Sequence, residues 1–225
     1  MELKISDKKY SNPGNKNILS NVPQSAKYIL DVGCGTGAIA EILFTEGKIV
    51  DGITISESEA ELARKYCRSV MIYDLNKGLP VQTKNKYDVI ICSHVLEHIV
   101  YPLKLLEDIK DIMVPNNSIL LIAIPNLLVY KNRLKMLFGK FNYESEGLMD
   151  YTHVKWYTFK SIKNLLLETG FTVEKAWVDG GIPFQSYLNF ITEKQKTVIK
   201  KILFSISKGF FGGEILCIAK LNSEE

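Results

Sequence analysis

The feature that most constrains this chain is a short, largely apolar run, Tyr28-Ile29-Leu30-Asp31-Val32. It breaks into Gly33-Cys34-Gly35-Thr36-Gly37 and resumes as the helical pattern Ala38–Leu43. An apolar run of this length ending in glycines reads as a buried parallel strand. A strand, a glycine loop and a helix in succession aim the unpaired N–H groups of a helix start at a ligand. Glycine permits the tight turn and keeps any Cβ out of the ligand's way. A parallel strand cannot be closed by a hairpin, so the rest of the chain must supply crossover units.

Those units follow in order. Tyr10 to Asn21 reads as a lead-in loop and short helix. After the glycine loop, Gly47 ends the first helix and Lys48–Ile53 is a second strand. A helix over Ser56–Tyr66 comes next, with Ser56 and Glu59 spaced as a capping box. Val70–Tyr73 is a third strand, and Tyr87–Cys92 a fourth, entered through the polar turn at Lys84 to Lys86. A helix over Pro102–Met113 and the turn Pro115-Asn116-Asn117 lead into a fifth strand, Ser118–Ile124. This alternation predicts an α/β, Rossmann-like doubly wound sheet. Further on come a helix-like piece (Leu127–Phe138), a polar aromatic loop, a helix (Phe159–Thr169) stopped by Gly170, and a strand (Phe171–Val178). A lysine-rich helix (Tyr187–Lys208), a last strand (Gly213–Lys220) and a frayed tail (Asn222–Glu225) complete the order. At 225 residues the chain suits a single domain, residues 1–225, with 126–158 as an insertion capping the site.

The four cysteines, Cys34, Cys67, Cys92 and Cys217, show neither a CxxC pair nor zinc-type spacing, which fits reduced thiols in a cytoplasmic protein. The start carries no apolar signal core, and the most apolar stretch, Ile119–Tyr130, is broken by Pro125 and Asn126 and too short to span a bilayer. A formal charge of +3, from 28 basic and 25 acidic residues, is too even to argue for a nucleic-acid or membrane partner.

The glycines follow Gly33-x-Gly35-x-Gly37, not the GxGxxG of dinucleotide folds, and Asp31 precedes them. A carboxylate there would repel a pyrophosphate but suits the ammonium of an amino-acid moiety, which favours S-adenosylmethionine (SAM) over a nicotinamide dinucleotide. At this point the sequence resembles the class I SAM-dependent methyltransferases. Asp31–Gly37 looks like their first motif, Asp88–His98 like their fourth-strand segment, and Pro115–Leu120 like their entry to strand five, with asparagines for both glycines. The resemblance implies a seven-stranded sheet, mostly parallel with an antiparallel last strand, and SAM as cofactor. It implies cofactor contacts at Asp31, Gly33, Cys34, Gly35, Gly37, Thr54, Asp74, Leu75, Ser93 and His94, with Asp31 at the methionine end. Asp74 would accept from the adenine amine while a neighbouring backbone N–H meets the ring, and its alternative is a turn residue before Asn76-Lys77-Gly78.

One position departs from the family. Strand two ends at Thr54, where an acid usually bridges the ribose hydroxyls. A threonine lacks the charged, two-acceptor geometry, so SAM affinity is expected to fall by about 1–2 kcal/mol. Asp51 lies too early by register, and Glu57 is the residue placed to reach back.

His94-Val95-Leu96-Glu97-His98 matches the inverted zinc-hydrolase pattern, and on a helix the two histidines would share a face. The motif follows directly on a strand, and a zinc hydrolase would leave the glycine loop unexplained, so no metal is expected from it.

The segment Asp150-Tyr151-Thr152-His153-Val154-Lys155-Trp156-Tyr157-Thr158 resembles one found in family members that act on sugars, polysaccharides or small metabolites. His153 is the candidate general base and Asp150 its orienting group, since transfer to oxygen gains from removing the acceptor's proton. Both residues have an alternative role in holding the cap, and Thr158 one as a helix cap. The expected activity is methyl transfer to an oxygen or nitrogen of a small molecule, a sugar derivative among the options. Alternatives are a SAM-binding protein without turnover and a nucleic-acid methyltransferase. The latter would use Lys131, Arg133, Lys135, Lys140 and the lysines of the late helix, but no Asn-Pro-Pro-Tyr motif follows strand four. Phe204, Phe210 and Phe211 read first as sheet-packing residues, with a membrane surface or a second subunit in a homodimer as the alternative.

Overall fold

The computed structural model describes residues 14–80, 86–145, 147–183 and 191–221. Seven strands form one sheet in the order β3-β2-β1-β4-β5-β7-β6. They are β1 (Tyr28–Val32), β2 (Ile49–Thr54), β3 (Ser69–Ile72), β4 (Val89–Ser93), β5 (Ile119–Pro125), β6 (Phe171–Asp179) and β7 (Glu214–Leu221). All neighbours pair in parallel except β7, which runs antiparallel to both β5 and β6. The helices are α1 (Lys16–Leu19), α2 (Ala38–Thr45), α3 (Glu57–Ala63), α4 (Pro102–Ile112), α5 (Tyr130–Leu137), α6 (Phe159–Glu168), α7 (Glu193–Ile206) and α8 (Lys208–Phe211).

The strand sequences explain the layering. Successive side chains on a strand point to opposite faces. Leu30, Val32, Ile90, Cys92, Leu120 and Ile122 thus face one way, onto Leu105, Leu106 and Ile109 of α4 and Ile162 and Leu166 of α6. Ile29, Val50, Val89, Ile91, Leu121 and Ala123 face the other way, onto Ile39, Ala40 and Leu43 of α2 and Ile18 of α1. Burying both faces of β1, β4 and β5 is why these runs are apolar throughout, and it holds the strand ends rigid.

Local signals set the element ends. Thr158 and Thr192 each form a reciprocal capping box, with Ser161 and Gln195 respectively. At α3 the expected box is only half formed. Ser56 Oγ accepts from the Glu59 N–H, but the Glu59 carboxylate turns to Thr54 instead. That helix ends at Ala63, short of the expected Tyr66, with a backbone N–H of Arg64 bonding back to Ala60 and Leu62. The lysine-rich helix breaks at Ser207, so that α8 is a separate turn not foreseen from the sequence. Parts of the expected lead-in loop, the turn at Lys84 and Asn85, the start of the Tyr187 helix and the tail Asn222–Glu225 lie outside the described residues. No helix among the described residues is long and apolar enough to cross a membrane.

Candidate active site

The carboxyl ends of β2, β1 and β4 carry Thr54, the Asp31–Gly37 loop, and Ser93 and His94. The sheet order places them side by side. In an open α/β sheet this is the edge where the strand order reverses and ligands bind.

The glycine loop is shaped by three left-handed residues, Gly33 (φ 77°), Gly35 (φ 52°) and Gly37 (φ 84°). A Cβ at Gly33 would stand 2.5 Å from Val95 Cγ2, and one at Gly37 2.9 Å from the Ala63 Cα. The loop is therefore packed against the turn after β4 on one side and against α3 on the other. Cys34 is tied to β2 by its N–H to the Ile53 carbonyl at 2.8 Å. Burial pushes its thiol well above the ordinary range.

Asp31 lies at 2% exposure, and its Oδ2 has no hydrogen-bond partner among the described residues. Burial raises its pKa to about 7. A carboxylate held in this state wants a cationic ligand group, because a buried anion without a partner is costly.

Strand two answers the question posed by Thr54. Its hydroxyl donates to Glu59 Oε2 at 2.7 Å, and both residues are buried. The other Glu59 oxygen stands 3.9 Å from where a Cβ on Gly35 would be. A carboxylate thus sits beside the loop after all, delivered from the first turn of α3. Glu57, the residue expected to reach back, instead pairs with Arg64 at 3.2 Å on the surface. Sequence reasoning missed Glu59 because it assigned that side chain to a capping box. Asp51 is occupied elsewhere. Burial alone would raise its pKa, but Arg68, Ser69 and Tyr87 hydrogen-bond it and hold it below the usual carboxylate range.

Asp74 caps the 3-10 turn Leu75–Lys77, its Oδ1 accepting from the Asn76 N–H and side-chain amide at 3.0 Å. That is the turn role weighed in the sequence. Leu75 is buried beneath it.

After β4 the chain leaves helical geometry. His94 is left-handed (φ 56°), and a 3-10 turn follows over Leu96–His98. The HxxEH histidines therefore do not share a helix face. His94 Nε2 bonds Glu214 of β7 at 2.8 Å, and its Nδ1 stands 3.3 Å from Glu97 Oε1. Burial alone would lower its pKa, but the two carboxylates outweigh that and push it to about 10. His94 is a fixed cation at neutral pH. His98 is the opposite case, lowered chiefly by burial and so neutral.

The segment that follows α5 meets this turn directly. The Val154 and Lys155 N–H groups donate to the Glu97 carbonyl at 2.9 and 3.0 Å, and Tyr157 Oη to the Leu96 carbonyl at 3.3 Å. His153 and His98 meet edge to face with centroids 4.8 Å apart, and Trp156 stands edge-on to His153. His153 Nδ1 faces the Leu148 carbonyl at 3.1 Å. Asp150 Oδ1 accepts from the Thr152 N–H and hydroxyl at 2.9 and 2.8 Å, and the Thr152 oxygen in turn stands 3.1 Å from His98 Nδ1. Asp150 is thereby linked through Thr152 to His98, where the sequence had paired it with His153.

A methyltransferase-domain family model matches residues 8–176, more than half of the chain. The chain belongs to the class I SAM-dependent methyltransferases. SAM is the cofactor of that family. Among curated relatives, a ubiquinone biosynthesis O-methyltransferase of Coxiella burnetii is 28% identical over 142 residues, 60% of this chain and 60% of the relative. One from Histophilus somni is 34% identical over 99 residues, 40% of this chain and 42% of the relative. The methyltransferase thus spans 60% or less of the length of these relatives. A SAM-dependent methyltransferase from Archaeoglobus fulgidus shares its fold with a TM-score of 0.63 at 22% identity, covering 88% of this chain and 87% of the other. Magnesium protoporphyrin IX methyltransferase from Synechocystis, solved with the demethylated cofactor SAH, superposes with a TM-score of 0.57 at 18% identity, covering 91% and 78%.

Proposed function

We propose that this methyltransferase moves the methyl group of SAM to a hydroxyl oxygen of a small molecule, at the carboxyl edge of β1, β2 and β4. The observation that carries this is the contact of Val95 with the loop at Gly33, which joins the cofactor cradle to the turn bearing His98. Two features support the cradle: a buried Asp31 oxygen with no hydrogen-bond partner among the described residues, and the Cβ direction of Gly35, which meets Glu59 Oε1 at 3.9 Å and nothing nearer.

In this reading Asp31 takes the ammonium of the methionine moiety. Gly33, Cys34, Gly35 and Gly37 present backbone to it. Glu59, steadied by Thr54, accepts the ribose hydroxyls. Asp74 and Leu75 border the adenine, and Ser93 and His94 the sulfur end. When bound, SAM supplies an electrophilic methyl group on a sulfonium.

The chain's own work is placement and proton handling. Residues 126–158 close over the acceptor as a cap. His153 takes the acceptor's proton, with the Leu148 carbonyl holding its ring by Nδ1. Asp150 steadies the neighbouring His98 through Thr152 rather than His153 itself. Acceptance by oxygen is supported by the relatives, which are ubiquinone biosynthesis O-methyltransferases. Hydroxylated ubiquinone-type compounds and sugar derivatives are the acceptors to try first, the former from those relatives and the latter from the Asp150–Thr158 segment.

The test is calorimetry with SAM and SAH on the wild type and on Gly35→Asp, followed by an acceptor screen reading SAH release. Binding that is lost in the variant and turnover on a hydroxylated acceptor are expected. A well-folded wild type that binds neither cofactor form would overturn the reading.

A further inference from the structure

We propose that Glu97, His98 and His153 form a binding site for a divalent transition-metal cation, with Zn2+ the ion that fits the donor set. Each residue offers one ligand atom, and these atoms lie within 4.8 Å of one another. Around a tetrahedral Zn2+ with bonds of about 2.0–2.2 Å, ligand atoms stand roughly 3.4 Å apart. Small side-chain rotations close that gap.

The second observation is independent of the spacing. Glu97 is 1% exposed, and among the described residues neither carboxylate oxygen meets a donor in full hydrogen-bonding geometry. Its charged neighbour is His94, whose Nδ1 stands 3.3 Å from Oε1 and whose other ring nitrogen is taken by Glu214. A buried carboxylate whose charge is met by one imidazolium shared with a second carboxylate still favours a further cation.

The histidines are prepared for the same task. Nδ1 of His153 faces the Leu148 carbonyl, and Nδ1 of His98 faces the Thr152 carbonyl at 3.2 Å. A carbonyl opposite makes Nδ1 the N–H donor and puts the lone pair on Nε2. Ligating histidines are oriented in this way by outer partners. Behind His98, Thr152 relays to Asp150, and Trp156 fixes the plane of His153. The two segments that supply the ligands are stitched together by the Val154 and Lys155 bonds to Glu97.

Two nitrogens and one carboxylate leave coordination positions open for an exogenous ligand. For its consequence this rests on the methyl-transfer reading, with His153 reassigned from base to ligand. The acceptor's hydroxyl oxygen takes an open position and its proton passes to water, so that the cation replaces the imidazole in making the hydroxyl acidic. That oxygen then bonds the methyl carbon as the carbon–sulfur bond breaks, with the electron pair left on sulfur.

Metal binding is measured without cofactor or acceptor, so it can fail or succeed apart from the methyltransferase reading. The full chain, stripped with a chelator, is titrated with Zn2+ and, in parallel, loaded with Co2+ for its visible spectrum. One equivalent of ion in the wild type is expected, with affinity reduced at least tenfold in both Glu97→Gln and His153→Ala and the Co2+ bands altered. Far-ultraviolet circular dichroism of the same samples reports that each is folded. Two results would overturn the site: a folded wild type that holds no ion, or both variants binding Zn2+ as the wild type does.

Discussion

Replacing Asp31 by asparagine is expected to stabilise the cofactor-free protein at alkaline pH while weakening SAM binding. Burial raises the Asp31 pKa from 3.8 to about 7. The folded state therefore holds a proton that the unfolded state has released, and folding stability falls as pH rises between those two values. A shift of roughly 3 units at 1.36 kcal/mol each sets an upper limit of about 4 kcal/mol lost by pH 8. Asparagine keeps the shape without the charge and removes that loss. Urea unfolding at pH 5 and pH 8, on both proteins without SAM, captures the part of it above pH 5, roughly 2 units or about 2.7 kcal/mol at most. The wild type should weaken between the two pH values more than Asp31→Asn does, and the curves should cross so that the variant is the more stable at pH 8. A second arm follows from the ammonium that Asp31 is proposed to meet. A cation there lowers its pKa, so SAM binding near pH 6.5 should release a proton, seen as calorimetric heats that depend on the buffer's ionisation enthalpy. Identical pH dependence in the two proteins would refute the argument, because the buried charge would then be compensated by something else.

Glu59→Gln keeps the hydrogen bond from Thr54 but removes the charge, and should weaken SAM binding about tenfold, in line with the gap between neutral and charged hydrogen bonds. Unchanged affinity by calorimetry would return Glu59 to a purely structural role. Gly37→Ala places a Cβ 2.9 Å from the Ala63 Cα at φ 84°. The left-handed backbone costs about 1–2 kcal/mol and the overpacking about 1–3, so denaturant unfolding should show a loss of roughly 2–5 kcal/mol. A loss under 1 kcal/mol would mean that α3 moves aside freely.

Much of the fold was legible because it is written in periodicity. Apolar runs ending in glycine or polar turns give β1, β4 and β5, and the antiparallel β7 matches the implied family topology. The shape of the glycine loop was legible because left-handed backbone and close packing leave glycine as the residue that fits. What escaped was whatever depended on where a side chain turns. Glu59 obeys a capping rule in sequence, yet its carboxylate finds a better donor in the Thr54 hydroxyl five residues back. Asp150 and His153 are three residues apart, which suggested a pair, but the turn sends the carboxylate to Thr152 and on to His98. HxxEH suggested a helix, and the left-handed His94 prevents one. Non-local partners such as Glu214 leave no mark in the local pattern at all.

That last contact has a consequence for the order in which the site matures. Glu214 lies 120 positions after the histidine it clamps, on a strand that slots between β5 and β6. It also receives the amides of Asn15 and Asn17, so the beginning and end of the described chain meet at His94. During synthesis at about 5–20 residues per second, roughly 6–24 s separate the appearance of His94 from that of Glu214. Throughout that interval the glycine loop and β1–β4 already exist, while the His94 ring beside them has no anchor from β7. A nascent chain thus acquires its glycine loop well before its histidine clamp, and the geometry around His94 is completed only when β7 has been made and inserted.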